Sequence, residues 1–395
     1  MSTPGRIATG AVTIALLTAC GGSGNDIGGG NGGSGTGYAY IATTSSSSQG
    51  SVIPYAINSD GALSPLSSGP VPTGTNPTSI VADPTGHYVY VVNQGDATIS
   101  QFSVGSGGVL TALSPAVVSL PIPSAGVRGY AASIDPNGHY LYVADQPYLL
   151  EAPSAPATIL QFSIGSGGAL TPLSPSSVNL SSLTTGPLAI DPGGQHAYLP
   201  AGGLVFQFSI SNNGTLVPLA TPSVATTGAV NVTIGPDGRI AYVLSACIDA
   251  ACDGQVSEYS VATDGTLTPT GLITGTAGHV IPLELETDTS GSSAYLLANL
   301  MGVDTDAGSV FQFAIGTGVL KPDSPPSVNV TGGAVAASVF GPSLYALSNA
   351  GFASGTPQGG HIDHYAIGAG GLLTAKDSVS MTSGYPTAMT IVASH

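Results

Sequence analysis

Short runs of alternating or wholly apolar residues, each bounded by Gly, Pro, Asn or Asp, make up nearly the whole chain. In Thr98–Val104, the residues Ile99, Gln101 and Ser103 alternate with Ser100, Phe102 and Val104, the period of two that a strand requires. Tyr88-Val-Tyr-Val-Val92 is continuously apolar instead, as in a strand covered on both faces. Two such patterns recur seven times in fixed order. The first is a turn and strand, seen in Asp83-Pro-Thr-Gly-His-Tyr-Val-Tyr90-Val, again up to Tyr142 and Tyr198, and more weakly around Tyr40, Tyr242, Tyr295 and Tyr345. The second is a strand, a glycine-rich turn and a leucine, whose aromatic recurs as Tyr55, Phe102, Phe162, Phe208, Tyr259, Phe313 and Tyr365. Successive tyrosines of the first pattern stand 50, 52, 56, 44, 53 and 50 residues apart. A period near fifty built only from strand signals predicts a β-propeller, one blade per repeat. The expectation is an all-β, seven-bladed propeller with four antiparallel strands per blade.

The blade of the second repeat parses as an inner strand near Thr78–Ala82, a turn at Asp83–Gly86, a strand at Tyr88–Val92 and a third at Thr98–Val104. A hairpin at Gly105–Gly108 and an outer strand near Leu110–Leu113 follow, then a proline-rich linker. The first repeat lacks an inner strand, because Gly37-Tyr-Ala-Tyr-Ile41 opens it directly. The C-terminal Tyr385-Pro-Thr-Ala-Met-Thr-Ile-Val-Ala matches Asn76-Pro-Thr-Ser-Ile-Val-Ala, so it should supply that strand and close the ring.

Composition changes the picture at the N-terminus and in the choice of partners. Residues 1–19 form a targeting segment, with Arg6 before the apolar Ile7–Leu17, a stretch too short to span a bilayer. Residues 20–37 begin with Cys20 and continue as a Gly/Ser-rich tether with a reach of roughly 20–25 Å. Residues 38–395 are the propeller. Only 7% of residues are charged, consistent with blades covered on both faces, and 21 acids face five bases for a net charge of −16. So few cations exclude most phosphate-rich partners, nucleic acid above all. A monomer with a small-molecule ligand in its central funnel is expected, and no cofactor. Cys247 and Cys252 remain once Cys20 is set aside, and an oxidising compartment would allow them to pair as a disulfide.

Candidate chemistry is sparse. Arg128 is the one cation expected at the funnel face, where it could bind a substrate carboxylate or cap carbonyls. Arg239, Lys321 and Lys376 follow turns on the opposite face. His279 lies in a linker, and Glu284 and Glu286 follow at alternate positions of an inner strand, so both carboxyls could face the channel and share acid–base work. His361, Asp363 and His364 are split by alternation between two faces, which disfavours a metal site. His87, His139 and His196 sit in scaffold turns and read as surface residues.

The Asp-Pro-x-Gly-x-x-x-Tyr-Val turn and strand, the Phe/Tyr strand and the Gly-x-Leu-x-Pro-Leu hairpin resemble the blades of the seven-bladed propeller lactonases, such as 6-phosphogluconolactonase. Tyr90-Val-Val-Asn93 also resembles YVTN-type surface propellers. In Leu17-Thr18-Ala19-Cys20 the chain resembles the lipobox of bacterial lipoproteins, which implies lipidation at Cys20 and a place in the bacterial cell envelope. The resemblance to the lactonases implies a carboxylic-ester hydrolase acting on a small sugar-derived or carboxylated lactone. Arg128 would orient the substrate, and His279 with Glu284 or Glu286 would move protons. Where the family often pairs two histidines before an inner strand, this chain reads Arg128-Gly-Tyr130. The alternative is a non-catalytic propeller that binds a ligand or a protein.

Overall fold

The computed structural model describes residues 37–121, 128–147, 157–182, 186–246, 254–275, 280–300, 307–316, 319–350, 358–381 and 384–395. Cys20, Cys247, Cys252 and His279 lie outside the described residues, as does the leader. Within them the chain is strand throughout apart from two single 3-10 turns, and no helix is long and apolar enough to cross a membrane.

Blade 2 shows the plan: Pro77–Ala82, Tyr88–Asn93, Thr98–Val104 and Leu110–Ser119 pair antiparallel in sequence order. The strands fall into six hydrogen-bonded sheets, one of them six-stranded. That sheet carries two blades. Its strand His196–Ile210 folds back on itself, Ile210 N–H donating to the Gln195 carbonyl, to form the second and third strands of blade 4. Its strand Leu216–Ile234 runs from the outer edge of blade 4 into the inner edge of blade 5. The ring therefore has seven blades. It closes as the termini predict: Tyr385–Ala393 pairs with Gly37–Thr44, with Thr390 opposite Tyr40.

Two kinds of side chain hold the blades together. The seven repeat tyrosines are all buried, at most 2% exposed. Six of them donate their hydroxyl to a backbone carbonyl in the third-to-fourth-strand hairpin of the following blade: Tyr40 to Gly108, Tyr90 to Gly168, Tyr142 to Gly214, Tyr198 to Gly265, Tyr295 to Gly371, and across the closure Tyr345 to Gly61. Burial, first among the causes, holds these phenols protonated, and Tyr295 is pushed up to about 12. The hairpin glycines come close to the preceding blade: a Cβ on Gly168 would lie 2.2 Å from the Tyr88 ring, at φ +78°. His196 takes the place of that tyrosine in blade 4. It is half-buried, its Nδ1 3.0 Å from Asp191, and a Cβ on Gly265 would meet its ring at 2.2 Å. It is thus part of a blade interface, whereas His87 and His139 are exposed as expected.

The second brace sits on the third strand. Gln101, Gln161, Gln207 and Gln312 each accept from the leucine N–H that opens the next blade's outer strand, at 2.5–2.7 Å. Each also donates its amide to a carbonyl within its own outer strand, as Gln101 does to Pro115 at 2.9 Å. This explains why the outer strand extends to Ser119 rather than ending near Leu113. The stretch around Pro115 is a bulge, with Phe102 opposite Ala112 but Ser100 opposite Val117, and the glutamine amide satisfies the carbonyl that the ladder misses.

Blade 5 carries Glu258 at the glutamine position. Its Oε1 accepts from Leu320 N–H at 3.0 Å, but the buried Oε2 has no partner among the described residues, and burial raises the carboxyl above its ordinary value. A raised acid contributes stability that is full below the unfolded carboxyl's pKa and is lost as pH rises through the folded one. Glu258→Gln is therefore expected to stabilise the protein by about 1 kcal/mol at pH 8 and to change nothing at pH 4, measured by urea unfolding at both.

Candidate functional site

Each inner strand has one free edge, whose N–H and C=O groups have no ladder partner on the channel side. Side chains from the preceding blade fill part of that need. Ser79 Oγ accepts from Ala132 N–H at 3.1 Å, while Asn231 Nδ2 and Thr233 Oγ1 donate to the Leu283 and Leu285 carbonyls at 2.8 and 2.9 Å. Opposite the seven repeat tyrosines the inner strands carry Val81, Ser133, Ala189, Thr233, Glu286, Ser338 and Thr390. Six are small or β-branched. Blade 6 alone places a carboxyl there.

Alternation along Val280–Thr287 puts Glu284 and Glu286 on one face, and that face meets the inner strand of blade 7, Gly333–Phe340. Glu284 Oε2 accepts from Ala337 N–H at 2.9 Å, and Glu286 accepts from Val339 N–H. The two carboxyls also hydrogen-bond each other. A hydrogen bond between two carboxyls requires a proton on one of them. Burial chiefly, then the Glu284 charge and the bond to Glu284, raise Glu286 well above the usual carboxyl range, against the lowering effect of the Val339 amide. Burial thus favours the protonated form of Glu286. Glu284 is 2% and Glu286 8% exposed.

Arg128 opens the inner strand of blade 3, paired with Pro147; its side chain lies outside the description. Counted back from the Asp135 and Asp288 turns, Arg128 begins its strand at the linker face. Glu284 and Glu286 lie about 10 and 17 Å deeper along the axis at 3.3 Å per residue. The structure brings the two glutamates together, and places Arg128 three blades away, nearer the mouth.

A second constellation escaped the sequence. Ser343 Oγ lies 3.0 Å from His364 Nε2, and His364 Nδ1 lies 2.6 Å from Asp377 Oδ1. The bonds follow the order nucleophile, base, orienting acid. Access runs the wrong way, however: Ser343 and His364 are 6% and 3% exposed, while the Asp377 side chain is 42% exposed. The hairpin of blade 1 covers the pair, since a Cβ on Gly61 would lie 2.6 Å from the imidazole, and Tyr345 stacks on the ring at 5.0 Å. His364 stands where blades 2, 3, 4 and 6 carry the bridging glutamine, so the chain of bonds is the interface brace of the ring closure. His361 and Asp363 go elsewhere, to Ser380 and to Thr331. Among the described residues no three His, Cys, Asp or Glu side chains are grouped to hold a metal ion.

Comparison with known proteins gives a match to a family over part of the chain. Residues 38–172 match the family described as Lactonase, 7-bladed beta-propeller. No protein of curated function matches the chain in sequence. Among solved structures, the periplasmic gluconolactonase of Pseudomonas aeruginosa is similar at a TM-score of 0.68 and 18% identity, over 91% of this chain and 99% of that one. A candidate 6-phosphogluconolactonase of Bacteroides uniformis gives 0.65 and 18%, over 90% and 99%. A protein of unknown function from Desulfotomaculum acetoxidans gives 0.60 and 15%, over 91% and 99%. At these identities the likeness is one of fold. The chain resembles the seven-bladed propeller lactonases, in sequence over residues 38–172 and in fold around the whole ring.

Proposed function

We propose that this protein is an exported, lipid-anchored lactonase-type hydrolase that opens a small sugar-derived or carboxylated lactone in the cell envelope. The observation that carries the reading is the Glu284–Glu286 pair on the inner strand of blade 6, where Glu284 accepts from Ala337 N–H and burial with the neighbouring carboxyl raises Glu286 well above the usual range. Lactone hydrolysis can use a base and an acid together. Ionised Glu284 takes a proton from water as its oxygen attacks the carbonyl carbon, and protonated Glu286 gives one to the ring oxygen as the acyl C–O bond breaks, leaving a hydroxy acid. Arg128 at the mouth would hold a substrate carboxylate, and His279, in the linker just before this strand, would relay the proton. The family match over residues 38–172 supports the reaction class, and the Pseudomonas aeruginosa gluconolactonase, described as periplasmic, supports the compartment. Lipidation at Cys20 and a Cys247–Cys252 disulfide belong to the same exported setting.

A second reading, a propeller that binds a ligand in its funnel without turning it over, is favoured by one observation. Both carboxyls are buried and already engaged by blade 7 backbone amides, as a brace would be. The experiment that separates the two is a pH-stat assay of polyhydroxy and carboxylated γ- and δ-lactones against the purified protein, corrected for spontaneous opening, alongside Arg128→Ala and His279→Ala. The hydrolase reading expects at least one lactone to open faster than the blank, with Arg128→Ala raising KM and His279→Ala lowering kcat. No turnover, or turnover that both variants keep, leaves the binding reading in place.

A further inference from the structure

The third strand of each blade carries the side chain that reaches across to the next one. Opposite the repeat tyrosine stand Gln101, Gln161, Glu258 and Gln312 in blades 2, 3, 5 and 6. With Gln207 of blade 4, these five each accept from the leucine N–H that opens the following outer strand. Two of the seven seams lack that bond, and both border blade 1. In blade 1 the residue opposite Tyr40 is Pro54, buried and with no acceptor in its side chain to offer Leu110 N–H of blade 2. In blade 7 the residue opposite Tyr345 is His364. Its ring packs on Gly61 of blade 1, but both ring nitrogens are bonded inside blade 7, to Ser343 and Asp377. Leu63 N–H of blade 1 therefore receives no bond from it.

Blade 1 is also broken where other blades are continuous. Its outer strand is split into Leu63–Pro65 and Val71–Thr75, both paired with Gln49–Ile57. The outer strands of blades 2, 3, 5, 6 and 7 run nine or ten residues without a break. Pro54, inside the third strand, removes one N–H from that strand. The inner strand, Tyr385–Ala393, comes from the far end of the chain and joins the blade through its ladder to Gly37–Thr44. The Tyr40–Gly108 and Tyr345–Gly61 bonds and apolar packing still cross the two seams. A unit with fewer cross-links than its neighbours opens at a lower free energy than they do.

We propose that blade 1 is the latch of the ring: because the cross-blade bond is missing at both its seams, its strands detach from blades 2 and 7 as one unit while the other six blades stay folded. The latch does not depend on catalysis at Glu284 and Glu286, but it borders them. Its closing strand packs against Gly333–Phe340, whose amides hold both carboxyls, so an open latch bares one side of that strand. Hydrogen–deuterium exchange of the intact protein at pH 7, read by mass spectrometry, follows the blades separately. After correction for intrinsic rates, Gly37–Thr44, Gln49–Ile57 and Tyr385–Ala393 are expected to exchange at one common rate. That rate should exceed by at least about tenfold the rate of Tyr140–Pro147 and Thr158–Ile164 in blade 3, which has a glutamine bond at both seams. Pro54→Gln supplies an acceptor for Leu110 N–H and should slow exchange in blade 1 about fivefold, the effect of one hydrogen bond. Pro54→Ala, which restores only the strand N–H, should slow it less. Fast exchange confined to Tyr385–Ala393, with Gln49–Ile57 as protected as blade 3, would be fraying of a chain end and overturns the proposal. Blade 1 exchange that Pro54→Gln does not slow, or that Pro54→Ala slows equally, overturns it as well.

Discussion

Replacing Gly108 by alanine is expected to cost about 3 kcal/mol of stability, while the same change one residue earlier, at Gly107, costs about 1 kcal/mol. The two glycines share one hairpin and one backbone conformation, φ +75°. A Cβ in that left-handed region is strained by about 1 kcal/mol wherever it occurs, and at Gly107 nothing else happens, because no atom lies within 4 Å. At Gly108 the new methyl would sit 2.3 Å from Cδ1 of Tyr38 and 2.6 Å from its Cγ, the base of a ring that cannot swing aside. Overpacking of that kind adds about 1–2 kcal/mol. The hairpin can relieve it only by backing away, which withdraws the Gly108 carbonyl from the Tyr40 hydroxyl, now bonded at 2.9 Å in the core. A buried hydroxyl without its acceptor costs about 1 kcal/mol or more. Urea unfolding of both variants at pH 7 measures the difference. Equal losses at the two positions would mean that the hairpin glycines serve the turn alone and do not lock one blade to the next.

That distinction marks how far the fold could be read from residues. The spacing of the tyrosines and the Asp-Pro turns is local information, and it was enough for seven blades and for the closing strand. In those turns the aspartate does what its position suggests: Asp83 Oδ1 accepts from Tyr88 N–H at 2.6 Å, and Asp135 Oδ1 from Tyr140 N–H at 2.6 Å. The partner of each tyrosine is another matter, because Gly108 is 68 residues beyond Tyr40 and Gly168 is 78 beyond Tyr90. No local pattern connects them. The outer strands were cut short for a related reason: period two breaks at Ser114-Pro115, and only the Gln101 side chain, satisfying the Pro115 carbonyl, lets the strand resume.

The candidate site shows the same division. Alternation alone places Glu284 and Glu286 on one face, but the direction of that face depends on blade 7, whose Ala337 and Val339 amides receive the two carboxyls. The Ser343–His364–Asp377 chain was invisible because its members stand 21 and 13 residues apart on three neighbouring strands. Its meaning emerges only beside Gln101, Gln161, Gln207 and Gln312, which do the same bridging with an amide.

Glu286→Gln is expected to move stability and activity in opposite directions. In the folded protein Glu286 keeps its proton well above the ordinary carboxyl value of 4.5, mainly because it is buried and then because Glu284 is charged beside it. The unfolded carboxyl releases that proton near 4.5, so above this pH folding must take a proton up. The contribution is therefore complete below pH 4.5 and declines as pH rises toward the folded value. Glutamine keeps the geometry without the titration: its carbonyl can accept from Val339 N–H and its amide can donate to Glu284. The variant should match the parent at pH 4 and exceed it at pH 8 by at least about 1 kcal/mol, with a flatter stability profile between. A glutamine cannot give a proton to a departing alkoxide, however, so under the hydrolase reading kcat for a lactone substrate falls by about 10²–10⁴. Thermal unfolding across pH and single-substrate kinetics test the two halves on one variant. Higher stability with kcat retained would make the carboxyl pair a brace between blades 6 and 7 and send the search for the general acid elsewhere. A stability profile unchanged from pH 4 to 8 would show that Glu286 does not hold the shared proton at all.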